Sequence, residues 1–316
     1  MRNYLFFFRL ILATSPLLLS LGCNGLWKEP PLDNLTTDAI GLLQDDLAGP
    51  GLQQVDSTRI EVLNEDESLE VMLYRPVHPQ TPAPAIVFLP DRMATDDQYE
   101  SYARALASRG FIVAVRCWYS LFRSDLELAH DTKVIADWLV LAQGGEPGKI
   151  GIVGHSMGGK DAVLAAAQYG GFAVVMAIDP DDNGNVSVVH GPIADLKAPL
   201  LLIGAEVAWR ASSVCAPLAT NYLRFFEQAP TGTVELTLRD ADHVQMLDAP
   251  DRFGYGICRS GTADSRQVRI TARRATVGFF IQHLKGGPAL PKPTPDQATI
   301  RVAQAYPITE KWLYVK

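Results

Sequence analysis

The chain has 316 residues, 47% of them hydrophobic and 20% charged, which is enough for one large core without a second full domain. Its formal net charge of −7, with no Lys/Arg-rich block, gives no electrostatic reason to expect nucleic acid as a partner. No internal repeat or low-complexity tract is visible.

In chain order, Arg2 and Arg9 precede an apolar run from Leu10 to Leu21 that ends in Gly22-Cys23, the layout of an export signal over residues 1–22. The run is too short for a transmembrane span. The small residue before Cys23 resembles the bacterial lipobox, with Ser20 where that motif usually has Leu and Leu19 one place early. Cys23 is therefore the expected lipidation site, which predicts attachment to a bacterial membrane or cell envelope through a lipid anchor, with a secreted soluble product as the alternative. Residues 23–55 mix Pro, Gly, Asn and Asp with short apolar runs and read as a tether. Beyond Cys23 stand Cys117, Cys215 and Cys258, an odd set that permits at most one internal disulfide. Spacing does not choose the pair, and Cys215 with Cys258 is preferred. No cysteine pair has zinc-ligand spacing, and neither a metal nor a cofactor is expected.

The folded body is expected over residues 56–286, as a monomer. Two strand-like runs, 59–63 and 69–74, flank the acidic turn Asn64-Glu65-Asp66-Glu67 and predict an antiparallel hairpin at a sheet edge. Short apolar runs then alternate with segments of helical period, the signature of parallel strands with crossover helices. Strands are predicted at 85–89, 111–115, 149–153, 174–178, 199–203 and 233–238. Helices are predicted at 98–108, 126–143, 157–168, 219–228 and about 267–284. The fold class is thus α/β, a mostly parallel sheet with helices on both faces. Residues 287–316, Pro-rich at first, read as a closing segment and tail.

The run from Lys149 to Gly159 is a buried strand, a tight turn and a helix start, and the turn reads Gly154-His155-Ser156-Met157-Gly158. A serine on a strained strand-to-helix turn needs neighbours without Cβ atoms, so this is the context of a nucleophile elbow, with Ser156 as the nucleophile. Serine is a weak nucleophile at neutral pH and needs a histidine base and an acid that follow it in the chain. Of the six histidines, His78, His130 and His155 precede Ser156. His190 follows the candidate acid strand too closely, and His283 lies inside a helix. His243 remains, in the polar turn Asp240-Ala241-Asp242-His243 after the last predicted strand.

Two strand ends offer an acid, Asp179 and Glu206, with Asp179 slightly favoured because it ends a buried strand directly. Asp181, Asp182, Asp240 and Asp242 are expected to form a solvated acidic rim. The segment from Asp179 to Gly184 also fits the first half of a calcium loop, but position twelve is His190 instead of Glu and no helix precedes it. An oxyanion hole needs two backbone N–H groups, one from the residue after the nucleophile and one from the loop after the third strand. Met157 and Arg92 are the candidates.

These pieces resemble the chlorophyllase-like branch of the α/β-hydrolase superfamily, and more loosely the polyester hydrolases, or cutinases, and the platelet-activating-factor acetylhydrolases. The similarity runs over roughly residues 60 to 285. It is carried by Gly154-His155-Ser156-Met157-Gly158-Gly159-Lys160, Ala177-Ile178-Asp179-Pro180, Cys215-Ala216-Pro217, Asn221-Tyr222-Leu223-Arg224-Phe225-Phe226 and His243-Val244-Gln245-Met246-Leu247-Asp248. The resemblance implies Ser156, Asp179 and His243 as a triad, and Met157 and Arg92 as oxyanion donors by position. Many relatives carry His-Gly before the oxyanion residue, where this chain has Pro90-Asp91.

The expected function is hydrolysis of small-molecule or polymeric carboxylic esters through an acyl-enzyme. A non-catalytic lipoprotein of the same fold and an amidase or peptidase are the alternatives.

Overall fold

The structure is a computed structural model and describes residues 47–64, 67–117, 123–209, 214–252, 255–288 and 295–304. The chain separates into residues 1–34 and 35–316, and the described residues all belong to the second unit. The expected signal over 1–22 and lipidation site Cys23 lie outside the described residues.

Among the described residues nine strands form one sheet: β1 (Val55–Asn64), β2 (Glu67–Pro76), β3 (Ala83–Leu89), β4 (Ile112–Arg116), β5 (Gly145–His155), β6 (Val174–Ile178), β7 (Leu200–Ala205), β8 (Val234–Leu238) and β9 (Ala298–Val302). Their spatial order is β1-β2-β4-β3-β5-β6-β7-β8-β9. The six strands from β4 to β8 run parallel, while the hairpin β1–β2 at one edge and β9 at the other are antiparallel to their neighbours.

Strand parity explains the two cores. Ile86 and Phe88 of β3, with Val113 and Val115 of β4, point to the face covered by α1 (Glu100–Ala107) and α5 (Ser265–Lys285). Ala85, Val87 and Leu89, with Ile112 and Ala114, point to the face covered by α2 (Asp125–Gln143), α3 (Met157–Tyr169) and α4 (Tyr222–Gln228). Burial on both faces is why these strands read as continuous apolar runs. Three helix starts are set by side-chain caps: Ser124 and Glu127 form a capping box on α2, Asn221 caps α4 and Asp264 caps α5.

Two boundaries differ from the sequence expectation. The end of the expected tether is packed on the domain: Ala48 is buried, the Gly51 N–H donates to Ser108 Oγ at 2.6 Å, and Arg109 donates to the Gly49 carbonyl at 2.8 Å. The expected tail supplies β9, whose Arg301 pairs with the buried Glu235 of β8. Of the five residues of β9 only Ala298 is buried, so the segment carries almost no hydrophobic pattern. Its pairing meets the need of the β8 edge for backbone partners and of Glu235 for a cation.

Candidate active site

The parallel strands β3, β5, β6, β7 and β8 all end at one edge of the sheet, and the loops leaving them carry the candidate residues. At the end of β5, Ser156 has φ 57 and ψ −128, a conformation costly for a residue with a Cβ. It is held by the hydrogen bond from the Ser156 N–H to the Ile178 carbonyl, 2.9 Å, and by the immediate start of α3. The turn closes so tightly that a Cβ on Gly154 would lie 2.1 Å from the Gly158 carbonyl oxygen, and one on Gly158 would lie 2.2 Å from that of Pro90. The elbow and the loop after β3 are thus in backbone contact.

Asp179 leaves β6 with φ 38 and is fully buried. Its Oδ1 accepts the Ala205 N–H at 2.9 Å, and its Oδ2 lies 2.7 Å from His243 Nδ1. Burial raises the Asp179 carboxyl above the usual range, against the pull of His243. Glu206 does not reach His243. Its carboxylate accepts the Asp240 N–H at 2.8 Å and so braces the loop that carries the histidine.

His243 opens a 3-10 turn, His243–Met246, and is 5% exposed. Asp242 caps that turn, accepting the Val244 and Gln245 N–H groups, and its other oxygen accepts those of Ser260 and Gly261. The expected acidic rim is therefore corrected. Asp242 is a buried cap. Asp181 is buried and accepts from Thr220 and Asn183, and Asp182 accepts from Ser187 and the Val188 N–H. These local bonds also occupy the carboxylates of the calcium-like segment. Asp240 is exposed, as expected.

His243 is more crowded than the sequence suggests. His243 Nε2 lies 3.3 Å from Asp91 Oδ2, so each ring nitrogen faces a carboxylate. Burial works against a charged ring, but the hydrogen bonds and charges of Asp179 and Asp91 override it and push His243 up to about 10. Burial would raise the Asp91 carboxyl, yet its bond to His243 takes it well below the usual carboxylate range.

His155, set aside on chain order, stacks on His243 with ring centroids 4.5 Å apart. The Asp91 N–H donates to Tyr99 Oη at 2.9 Å, Tyr99 Oη–H donates to His155 Nδ1 at 2.8 Å, and His155 Nε2–H donates to the His243 carbonyl at 3.1 Å. This chain fixes a neutral tautomer, and burial followed by the neighbouring His243 charge lowers His155 to about 3. Asp91, His155 and His243 offer atoms within 4.8 Å of one another, as a metal site requires. With both His155 nitrogens committed, only His243 Nε2 and the Asp91 carboxylate remain of that set, and they are paired with each other.

Among the described residues neither the Met157 nor the Arg92 N–H has a hydrogen-bond acceptor, which leaves both available to an oxyanion. The Arg92 guanidinium turns away from the site to Asp125 and Asp161, beside the fully buried Lys160, whose Nζ is 2.6 Å from Asp125. Sequence reading missed this buried cluster, because Arg92 entered by position alone. Cys215 and Cys258 form a disulfide that ties the segment before α4 to the turn after the His243 loop.

A family model described as Chlorophyllase matches residues 49–292. Chlorophyllase-2 of Arabidopsis thaliana is 25% identical over 236 residues, covering 64% of this chain and 74% of the relative. Chlorophyllase type 0 of Chenopodium album is 23% identical over 231 residues, covering 64% and 66%. The chloroplastic Chlorophyllase-1 of Citrus unshiu is 24% identical over 221 residues, covering 63% and 67%. With the sheet order and the elbow already in view, the chain belongs to the chlorophyllase family, and with it to the ester hydrolases of the α/β-hydrolase fold.

Proposed function

We propose that the chain is a serine hydrolase that cleaves carboxylic esters through an acyl-enzyme. The observation that carries this reading is the 2.7 Å hydrogen bond between Asp179 and His243 at the sheet edge where Ser156 is held on its elbow. In the proposed cycle, neutral His243 takes the Ser156 Oγ proton at Nε2 as Oγ attacks the ester carbonyl. Asp179 steadies the imidazolium, and the Met157 and Arg92 N–H groups bind the oxyanion. His243 returns the proton to the departing alcohol, and water repeats the sequence to free the acid.

Residues 24–316 should release nitrophenol from short acyl esters, and Ser156→Ala should abolish both this and labelling by a fluorophosphonate probe. Equal rates would refute the assignment. The names of the relatives make chlorophyll the first large ester to assay, beside polyester oligomers and matched amides that test the peptidase alternative.

The reading extends to an exported protein anchored by a lipid on Cys23. The Cys215–Cys258 disulfide supports an oxidising compartment. Among the described residues no helix is long and apolar enough to cross a membrane. A palmitate-labelled precursor that accumulates under globomycin is the expected result, and an unlabelled product would refute the anchor.

A further inference from the structure

The proposed cycle leaves one side chain in the site without a task. Asp91 stands where the resemblance to the family implies a glycine in many members, and two local bonds fix its direction. Its Oδ1 accepts the Met93 N–H at 2.7 Å, and its own N–H donates to Tyr99 Oη. That turn aims Oδ2 at His243 Nε2, the atom that has to receive the Ser156 proton. Ser156 Oγ makes no hydrogen bond to His243 in this arrangement.

We propose that Asp91 is a second carboxylate partner of the catalytic histidine, competing with Ser156 for Nε2 and holding the base in a charged resting state that alkaline medium releases. This rests on the serine-hydrolase reading given above. Among the described residues, the groups that face the ring come from four elements. Asp179 approaches Nδ1 from the end of β6, and Asp91 approaches Nε2 from the loop after β3. His155, at the end of β5, stacks on the ring and is held neutral by burial and by the neighbouring His243 charge, with both its nitrogens hydrogen-bonded. Asp242, the chain neighbour, is spent on four backbone N–H groups. Tyr255, from the turn after the His243 loop, lies near Asp91 and stays un-ionised across the working range. Among the described residues, His243 is the only cation that pairs with Asp91.

The switch follows from donors and acceptors. An imidazolium has no lone pair at Nε2, so it cannot take the Oγ proton. Once solvent base removes the Nε2 proton, Nε2 and Asp91 Oδ2 are both acceptors and their contact turns repulsive. Asp91 disengages, and the Ser156 hydroxyl can donate in its place. A carboxylate in the oxyanion loop also disfavours the developing oxyanion, so removing its charge should help both steps.

The test is the pH profile of kcat/KM on nitrophenyl esters for the native chain, Asp91→Asn and Asp91→Gly. Asparagine retains the Met93 acceptor, and glycine removes the side chain altogether. The acid limb should move down by about 1–3 pH units, with at least about tenfold higher activity at pH 7. A second readout needs no turnover: the imidazole of His243 is titrated by nuclear magnetic resonance in Ser156→Ala with and without Asp91→Asn. His243 should lose its proton at lower pH when the charge is gone. Coincident titrations, or an unmoved acid limb in active variants, would overturn the proposal. If the titration shifts while no variant hydrolyses esters or reacts with fluorophosphonate, the pairing stands and the hydrolase reading fails.

Discussion

His155 donates from Nε2 to the backbone carbonyl of His243 at 3.1 Å while the two rings stack 4.5 Å apart, so one histidine supports the other in opposite states of charge. An unfolded chain protonates His155 near its ordinary value of about 6.5, but the folded chain does not until about 3. Between those values the unfolded state binds more protons, and stability falls as pH drops. His243 has the opposite sign. Its folded value of about 10 makes a contribution that is complete below pH 6.5 and lost as pH rises towards 10. Stability should therefore peak near neutrality, with a slope on the order of 1 kcal/mol per pH unit on each side. Urea unfolding between pH 4 and 10 measures both limbs. His155→Gln should flatten the acid one, and Asp91→Asn the alkaline one.

Asp179 and Glu206 were the two strand-end acids, and their surroundings now assign them different work. Asp179→Asn should lower kcat by roughly 10³- to 10⁴-fold with little loss of stability, because the amide can hold the wrong imidazole tautomer. Glu206→Gln should keep kcat within about fivefold, since an amide oxygen can still accept the Asp240 N–H. Steady-state kinetics on one nitrophenyl ester compares the two. A larger loss from Glu206→Gln would reverse the assignment.

The sheet was legible because strands buried on both faces are apolar without a break, and because Gly154 and Gly158 bracket a turn that nothing else in the chain resembles. Strand β9 was not, since four of its five side chains are at least partly exposed and its pairing depends on Glu235 far away in sequence. Chain order singled out His243 and set His155 aside, whose place against His243 is a through-space relationship. Asp242 looked like one more acid in a polar turn. Its burial follows from four N–H groups supplied by two segments, which spacing does not reveal. The direction of Asp91 is likewise set by its two bonds, to Met93 and Tyr99, that residue type alone leaves open.

Gly158 offers a test of the contact between the turn at Ser156 and the loop after β3. In an open helix, alanine in place of glycine adds about 1 kcal/mol of stability. Here the new methyl would meet the Pro90 carbonyl oxygen at 2.2 Å and that of Leu89 at 2.5 Å, both backbone. Gly158→Ala should instead destabilise by about 1–3 kcal/mol and push the Arg92 N–H out of position. The expected signature is a fall in kcat larger than any change in KM, with a lowered Tm. A raised Tm with native kcat would show that the loop yields freely.

The charged cluster under that loop makes the last prediction. Arg92 and Lys160 supply two cations to Asp125 and Asp161, and Lys160 Nζ also donates to the Asn183 carbonyl at 2.5 Å. The charges balance, so removing one cation leaves a buried carboxylate without its partner. Lys160→Met should cost about 3–5 kcal/mol in urea unfolding at pH 8. Burial already pushes the Asp161 carboxyl up to about 6 against the pull of both cations, so it is the group readiest to take up a proton. Protonation relieves the imbalance in the folded state, so the deficit of Lys160→Met should narrow as pH falls from 8 towards 5. Lys160→Met with Asp125→Asn should recover much of the loss at pH 8, because it restores neutrality directly. A deficit that is independent of pH, and unchanged in the double variant, would mean that Lys160 acts through packing alone.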